Sequence, residues 1–185
     1  MKRLYVLRHA KSSWDDPARS DHDRPLAPRG RRAAKSMARH MREQHVEPEL
    51  VLCSTAKRAL QTLERIEPAL GRRAVQVEAE LYAAGAQELL ERLQAVDDAV
   101  GSVMVIGHNP GLEDLVLALA RPSPRRREVE AKYPTAALAT LDLDAGRWRR
   151  WRAIALAARR PRGASGRSWS EVAGSAQLDL AWRST

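Results

Sequence analysis

Three basic positions stand just past short apolar runs, where side chains of these types could do chemistry together. Leu4-Tyr5-Val6-Leu7 is followed at once by Arg8-His9. Leu50-Val51-Leu52-Cys53 is followed four residues on by Lys57-Arg58, and Val103-Met104-Val105-Ile106 leads into Gly107-His108. Short apolar runs of this kind read as strands buried on both faces, and open α/β sheets place their ligands just beyond the carboxyl ends of such strands. Side by side in a parallel sheet, the three ends would bring two histidines and at least two cationic side chains into one pocket. Arginine presents a permanently charged fork to phosphate oxygens. A neutral imidazole can attack phosphorus, and nearby cations keep it unprotonated. Taken singly, each residue is more often an ordinary edge or surface group than a catalytic one. From spacing alone, a phosphate site and a set of unrelated edge residues stand as equal readings.

The elements that would position these groups alternate along the chain. After the first strand, a polar loop over residues 10–28 carries Ser12, Ser13, Asp15, Asp16, Asp21 and Asp23. Apolar periodicity predicts a helix over roughly 29–45. Ser54-Thr55 reads as the cap of a second helix running to about Ala69. A weak strand over Ala74 to Val77, a helix near 86–95 and a helix over about 112–120 follow. Arg121 to Lys132 reads as an exposed basic loop, and Thr135–Leu143 with Trp148–Leu156 as a hairpin turned at Asp144-Ala145-Gly146. This order predicts an α/β fold: a three-layer α-β-α sandwich with a mainly parallel, mixed sheet. The domain is expected to span 1–157. Residues 158–185 are expected to form a basic Arg/Gly/Ser-rich tail, flexible in solution.

The 185 residues suffice for one core, 44% apolar and without phenylalanine. The net charge of +9 is uneven: residues 1–120 carry 18 Lys/Arg against 17 Asp/Glu, and residues 121–185 carry 14 against 6. With no nucleic-acid-binding motif beside it, the C-terminal charge reads as a solvated surface and nucleic acid is disfavoured as a partner. Cys53 is the sole cysteine, so no internal disulfide can form; it reads as a small buried hydrophobe in a reducing cytoplasm. No run approaches the ~18 apolar residues of a membrane span, so a cytoplasmic protein is expected.

Read together, the motifs resemble a known family. Leu7-Arg8-His9-Ala10-Lys11-Ser12-Ser13-Trp14 resembles the Arg-His-Gly opening of the histidine phosphatase superfamily, with Ala10 in place of the usual glycine. The resemblance continues through Asp23-Arg24-Pro25-Leu26, Ser54 to Thr62, Glu80 to Gly85, Val105 to Gly111 and Tyr133 to Ala137. In combination these look most like the small SixA-type phosphohistidine phosphatases. The resemblance implies a phosphoglycerate mutase-like fold and a phosphatase that works without metal or cofactor. It implies His9 as the nucleophile, Arg8 and Arg58 as ligands of the phosphate oxygens, and His108 as stabiliser of the charge on the transferring group. Arg24 would be a further phosphate ligand. Glu80 stands where superfamily members often carry the general acid, with the Asp residues of the 15–23 loop as rivals.

The stretch from Arg58 to His108 has only 49 intervening residues, too few for a large lid insertion. An open pocket of that kind suits a phosphohistidine side chain protruding from a protein partner. A small phosphate ester is the alternative substrate, a mutase being disfavoured for want of lid segments. A non-catalytic phosphoprotein- or nucleic-acid-binding module is the alternative of a different class. The sequence leaves the oligomeric state open.

Overall fold

The central apolar runs form the middle of a six-stranded sheet, and their alternation explains its two buried faces. The computed structural model describes residues 1–143, 146–148 and 176–182. In chain order the elements are β1 (Lys2–Arg8), α1 (Pro28–Glu43), β2 (Leu50–Ser54), α2 (Lys57–Ile66), β3 (Ala74–Glu78) and α3 (Ala86–Gln94). They continue with β4 (Ser102–Gly107), α4 (Gly111–Leu119), α5 (Pro124–Ala131), β5 (Leu138–Leu143) and β6 (Gln177–Ala181). The strand order is β3-β2-β4-β1-β5-β6. The first four strands in that order are parallel, and β5 and β6 are antiparallel additions at one side.

Successive residues of a strand face opposite sides. Leu4 and Val6, Leu50 and Leu52, and Val103 and Val105 accordingly join one core beneath α3, α4 and α5. Tyr5 and Leu7, Val51 and Cys53, and Met104 and Ile106 join the other, beneath α1 and α2. This is the expected three-layer α/β sandwich. α2 leaves β2 on one face and α4 leaves β4 on the other, so the crevice at the ends of β1, β2 and β4 is a topological switch point. Two glycines allow close approach there. A Cβ on Gly30 of α1 would lie 2.1 Å from the Lys11 carbonyl oxygen, and one on Gly111 would lie 1.9 Å from that of Ala84.

Three sequence expectations are corrected. The segment expected as a basic loop contains α5: the Ser123 side chain accepts from the Arg126 N–H, Pro124 takes the first turn, and Val129 is buried beneath it. The second helix begins at Lys57 with Ala56 as its uncapped N-cap, leaving Ser54 for another task. The final Leu178-Asp179-Leu180 stretch, assigned to the tail, is strand β6, with Leu178 buried in the core. Both edges of β5 are thereby occupied, by β1 and β6. The hairpin strand expected over Trp148–Leu156 lies outside the described residues apart from Trp148, a buried residue whose indole N–H donates to the Val100 carbonyl at 2.8 Å. Residues 158–175 lie outside the described residues as well. No helix among the described residues is long and apolar enough to cross a membrane.

Candidate active site

Strand register brings the two histidines level. Arg8 of β1 pairs with Gly107 of β4, and Cys53 of β2 with Ile106. His9, His108 and Ser54 therefore stand together at the carboxyl edge. The ring centroids of His9 and His108 are 5.0 Å apart, and both residues are buried.

The tautomer of His9 is fixed twice. Its Nδ1 lies 2.7 Å from the Ala10 carbonyl oxygen, an atom that only accepts, so Nδ1 carries the proton. Its Nε2 accepts from Arg58 Nε at 3.2 Å, so that nitrogen presents a lone pair. Burial, with the His108, Arg58 and Arg8 side chains opposing further charge, pushes His9 down to about 3. At neutral pH its ring is uncharged, with the lone pair on Nε2. The loop that carries it is tied to α2 through Thr62, whose hydroxyl accepts from the Ala10 N–H at 3.0 Å and donates to the Arg58 carbonyl at 2.6 Å.

His108 is held at its other end. Its Nε2 lies 2.9 Å from the Ser54 hydroxyl, which also accepts from the Ala56 N–H. With an N–H already aimed at its oxygen, the Ser54 hydroxyl proton is free to donate to Nε2. In that arrangement the ring proton sits on His108 Nδ1, a buried atom with no partner among the described residues. Burial first, then the Arg58 charge, pushes His108 down to about 4. Hence both imidazoles stay neutral well below the ordinary histidine range, and the acid limb of activity will not fall near ~6.5. Ser54→Ala frees the His108 tautomer. The expected result is a loss of about 10-fold in kcat for an aryl phosphate, the rate equivalent of one hydrogen bond. The acid limb should stay well below ~6.5, because burial and the Arg58 charge, which depress His108, are untouched. A kcat identical to the wild type would contradict this role.

Around the histidines lie three arginines. Arg8 donates to the Tyr133 carbonyl at 2.5 Å while its Nε, buried, has no partner among the described residues. Tyr133 is itself anchored by its hydroxyl to the Val6 carbonyl at 2.6 Å. Burial lowers the Arg8 pKa. Arg24 is buried and spread over three acceptors: the Ser13 carbonyl (2.9 Å), the Ser12 hydroxyl (2.6 Å) and the Asp21 carboxylate (2.7 Å). Its guanidinium carbon also lies 3.1 Å from the centroid of the Trp14 ring. Besides His9, Arg58 donates to the Asp21 carbonyl at 2.5 Å and its carboxylate at 2.9 Å.

Asp21 thus bridges Arg24 and Arg58, and the Tyr82 hydroxyl donates to the same carboxylate at 2.9 Å. Despite the cost of burial, these three donors hold Asp21 down to about 2. The two arginines already form an anion site, with a carboxylate in it. Tyr82 in turn packs edge-on against His108 at 5.6 Å and His22 at 4.8 Å.

Of the six residues singled out in the sequence, Arg8, His9, Arg24, Arg58 and His108 converge. Glu80 does not join them: it is exposed and makes no hydrogen bond or ion pair among the described residues. Cys53 lies buried behind the site, its thiol pushed up to about 12 by that burial, which suits a packing residue. From the sequence alone Tyr82 is not singled out, Ser54 reads only as a helix cap, and Asp21 only as one of the rival acids in the 15–23 loop. Their residue types and adjacency to the motifs were visible, but their partners depend on how the 10–28 loop folds back.

Residues 4–83 match the model of the histidine phosphatase superfamily, branch 1. The phosphohistidine phosphatase SixA of Escherichia coli is 35% identical over 145 residues, covering 77% of this chain and 86% of that protein. The chain belongs to the histidine phosphatase superfamily. An uncharacterised Mycobacterium tuberculosis protein is 37% identical over 146 residues, covering 77% of this chain and 89% of its own. The structure of the protein histidine phosphatase SixA complexed with tungstate matches with a TM-score of 0.66 at 32% identity, covering 78% of this chain and 91% of that one. A histidine phosphatase is a hydrolase of phosphorylated groups, and the cluster of imidazole and guanidinium groups is of the kind such an enzyme needs.

Proposed function

We propose that the protein is a phosphohistidine phosphatase acting through a phosphorylated His9, without metal or cofactor, on a protein substrate in the cytoplasm. In this reading His9 Nε2 attacks phosphorus while Arg8, Arg24 and Arg58 hold the equatorial oxygens. His108 Nδ1–H donates to one of them as charge builds. Fixed donors of this kind supply the electrostatic and positioning terms that dominate phosphoryl transfer.

The observation that carries the choice of substrate is the setting of Asp21, whose carboxylate accepts from Arg24, Arg58 and Tyr82 and so has no proton of its own to give. The carboxylate facing the pocket is held down to about 2, so no ready acid stands there in the free site. An alkoxide leaving group requires one. A phosphohistidine does not: protonated on its far ring nitrogen, it departs as neutral imidazole while His9, protonated on Nδ1, takes the same phosphoimidazolium form. The donor and acceptor are alike, and the transfer is near balanced. Water then attacks the phosphorus, the N–P bond to His9 breaks, and inorganic phosphate leaves. Both protons of that water can leave on the inorganic phosphate, so the step balances without Asp21 or Glu80 as a base.

SixA of Escherichia coli carries the name phosphohistidine phosphatase, and the structure of SixA with tungstate holds an oxyanion of phosphate-like shape. Both support this reading. Its test is a competition between a phosphohistidine peptide, an aryl phosphate and an alkyl phosphate. The expected order of kcat/KM is phosphohistidine, then aryl, then alkyl, with at least about 100-fold between first and last, and no effect of EDTA. An alkyl phosphate preferred over phosphohistidine would move the function to small-molecule phosphomonoester hydrolysis.

A further inference from the structure

Helix α1 begins with cations where the helix itself carries positive charge. Its first turn contains no acidic residue, although the partial positive charge of a helix N-terminus favours anions and disfavours cations. Arg29, Arg31, Arg32 and Lys35 are all exposed. None of the four forms a salt bridge among the described residues, whereas Arg39, nearer the other end, pairs with Glu43 of the same helix. Across a groove of about 640 Å³, Glu64 of α2 is engaged by its own neighbour, Arg65. Among the described residues, then, none of the four cations has an ion-pair partner on either element that borders the groove. Such a local violation of favourable electrostatics is where function is to be sought.

The cluster lies beside the candidate active site. α1 starts directly after Arg24-Pro25-Leu26, and Arg31 donates to the Leu26 carbonyl at 2.8 Å. Gly30 packs on Lys11, two residues beyond His9. Nearer the mouth, Trp14 is 70% exposed while its ring stacks on Arg24, an aromatic–arginine pair of the type that anchors protein interfaces.

We propose that Arg29, Arg31, Arg32 and Lys35 form a docking surface for an acidic protein segment that presents the phosphohistidine to His9; this rests on the phosphohistidine reading above. A protein fits better than a nucleic acid because exposed Asp15, Asp16 and Asp23 stand on the adjoining loop and Glu64 lines the groove. Such interspersed carboxylates repel a continuous polyphosphate, whereas discrete Asp and Glu side chains can meet the cations between them.

The test uses two synthetic peptides carrying the same phosphohistidine, one flanked by Asp and Glu, the other by Ser and Gly, with an aryl phosphate as control. At low ionic strength the wild type should favour the acidic peptide in kcat/KM by about 10-fold, the margin shrinking as salt screens the surface. Arg32→Glu/Lys35→Glu should erase the preference while rates on the neutral peptide and the aryl phosphate stay within about twofold. Equal use of both peptides by the wild type, or a preference kept by the variant, overturns the docking surface and leaves the phosphohistidine reading standing. Hydrolysis of the aryl phosphate with neither peptide touched overturns both. Duplex DNA that inhibits through these same cations, with no discrimination between peptides, would reassign the surface to nucleic acid.

Discussion

His9→Ala will lower kcat for an aryl phosphate by at least about 10⁴-fold while the protein stays folded, because the substitution removes the proposed nucleophile. The variant should fold: the His9 ring makes two hydrogen bonds, one to the neighbouring Ala10 carbonyl and one from Arg58, and no part of either core depends on it. Losing two such bonds from a buried ring costs stability of about 1–3 kcal/mol, within what a domain of this size tolerates. Circular dichroism and a thermal melt separate loss of chemistry from loss of fold. A folded variant retaining more than about a tenth of wild-type activity would remove His9 from the mechanism.

Arg58 is expected to be the next most sensitive position. Arg58→Ala should lower kcat/KM by about 10³-fold, and Arg58→Lys should recover little of it. The reason lies in the geometry of one guanidinium group that reaches His9 Nε2 and the Asp21 carbonyl and carboxylate with different nitrogens. A lysine ammonium is a point charge and cannot span all three. Removal of Arg58 also leaves Asp21 facing the pocket with one compensating arginine, Arg24, so a phosphate oxygen would meet a less shielded carboxylate. The loss should therefore show in KM as well as kcat. Near-full activity of the lysine variant would mean that charge alone, and not the fork, is used.

The parts of the fold that could be read in advance are those where one residue property decides the outcome. β1, β2 and β4 are apolar on both faces because helices cover both, and continuous runs such as Leu4 to Leu7 can be buried in few other ways. Once these strands are parallel neighbours, Arg8, His9, Arg58 and His108 must gather at one edge, whichever residues lie between. Recognition of the family motifs added Arg24. What escaped were choices among equals. Ser54 can cap a helix or hold a histidine, and only the level of β4 beside β2 selects the second. Asp21 is one of four aspartates in its loop, and the fold-back of Arg24 onto Ser12 and Ser13 decides which meets the arginines.

The remaining misses have a different physical origin. α5 is short and mostly charged, so it lacks the apolar period that marks longer helices, and its Ser123-Pro124 start was the one local signal. β6 has two leucines in five residues, too little pattern to announce a strand until β5 offers an open edge. The cationic start of α1 does not show in the net charge of residues 1–120, where acidic groups elsewhere nearly cancel it.

The central claim, that phosphate passes through His9, is tested most directly by trapping the intermediate. The enzyme would be mixed with ³²P-labelled substrate, quenched in alkali within the first turnover, digested and mapped by mass spectrometry. The account predicts an alkali-stable, acid-labile phosphoryl group on the peptide containing His9 and none in His9→Ala. A label on any other residue, or none at all during steady turnover together with inversion of configuration at phosphorus, would contradict it.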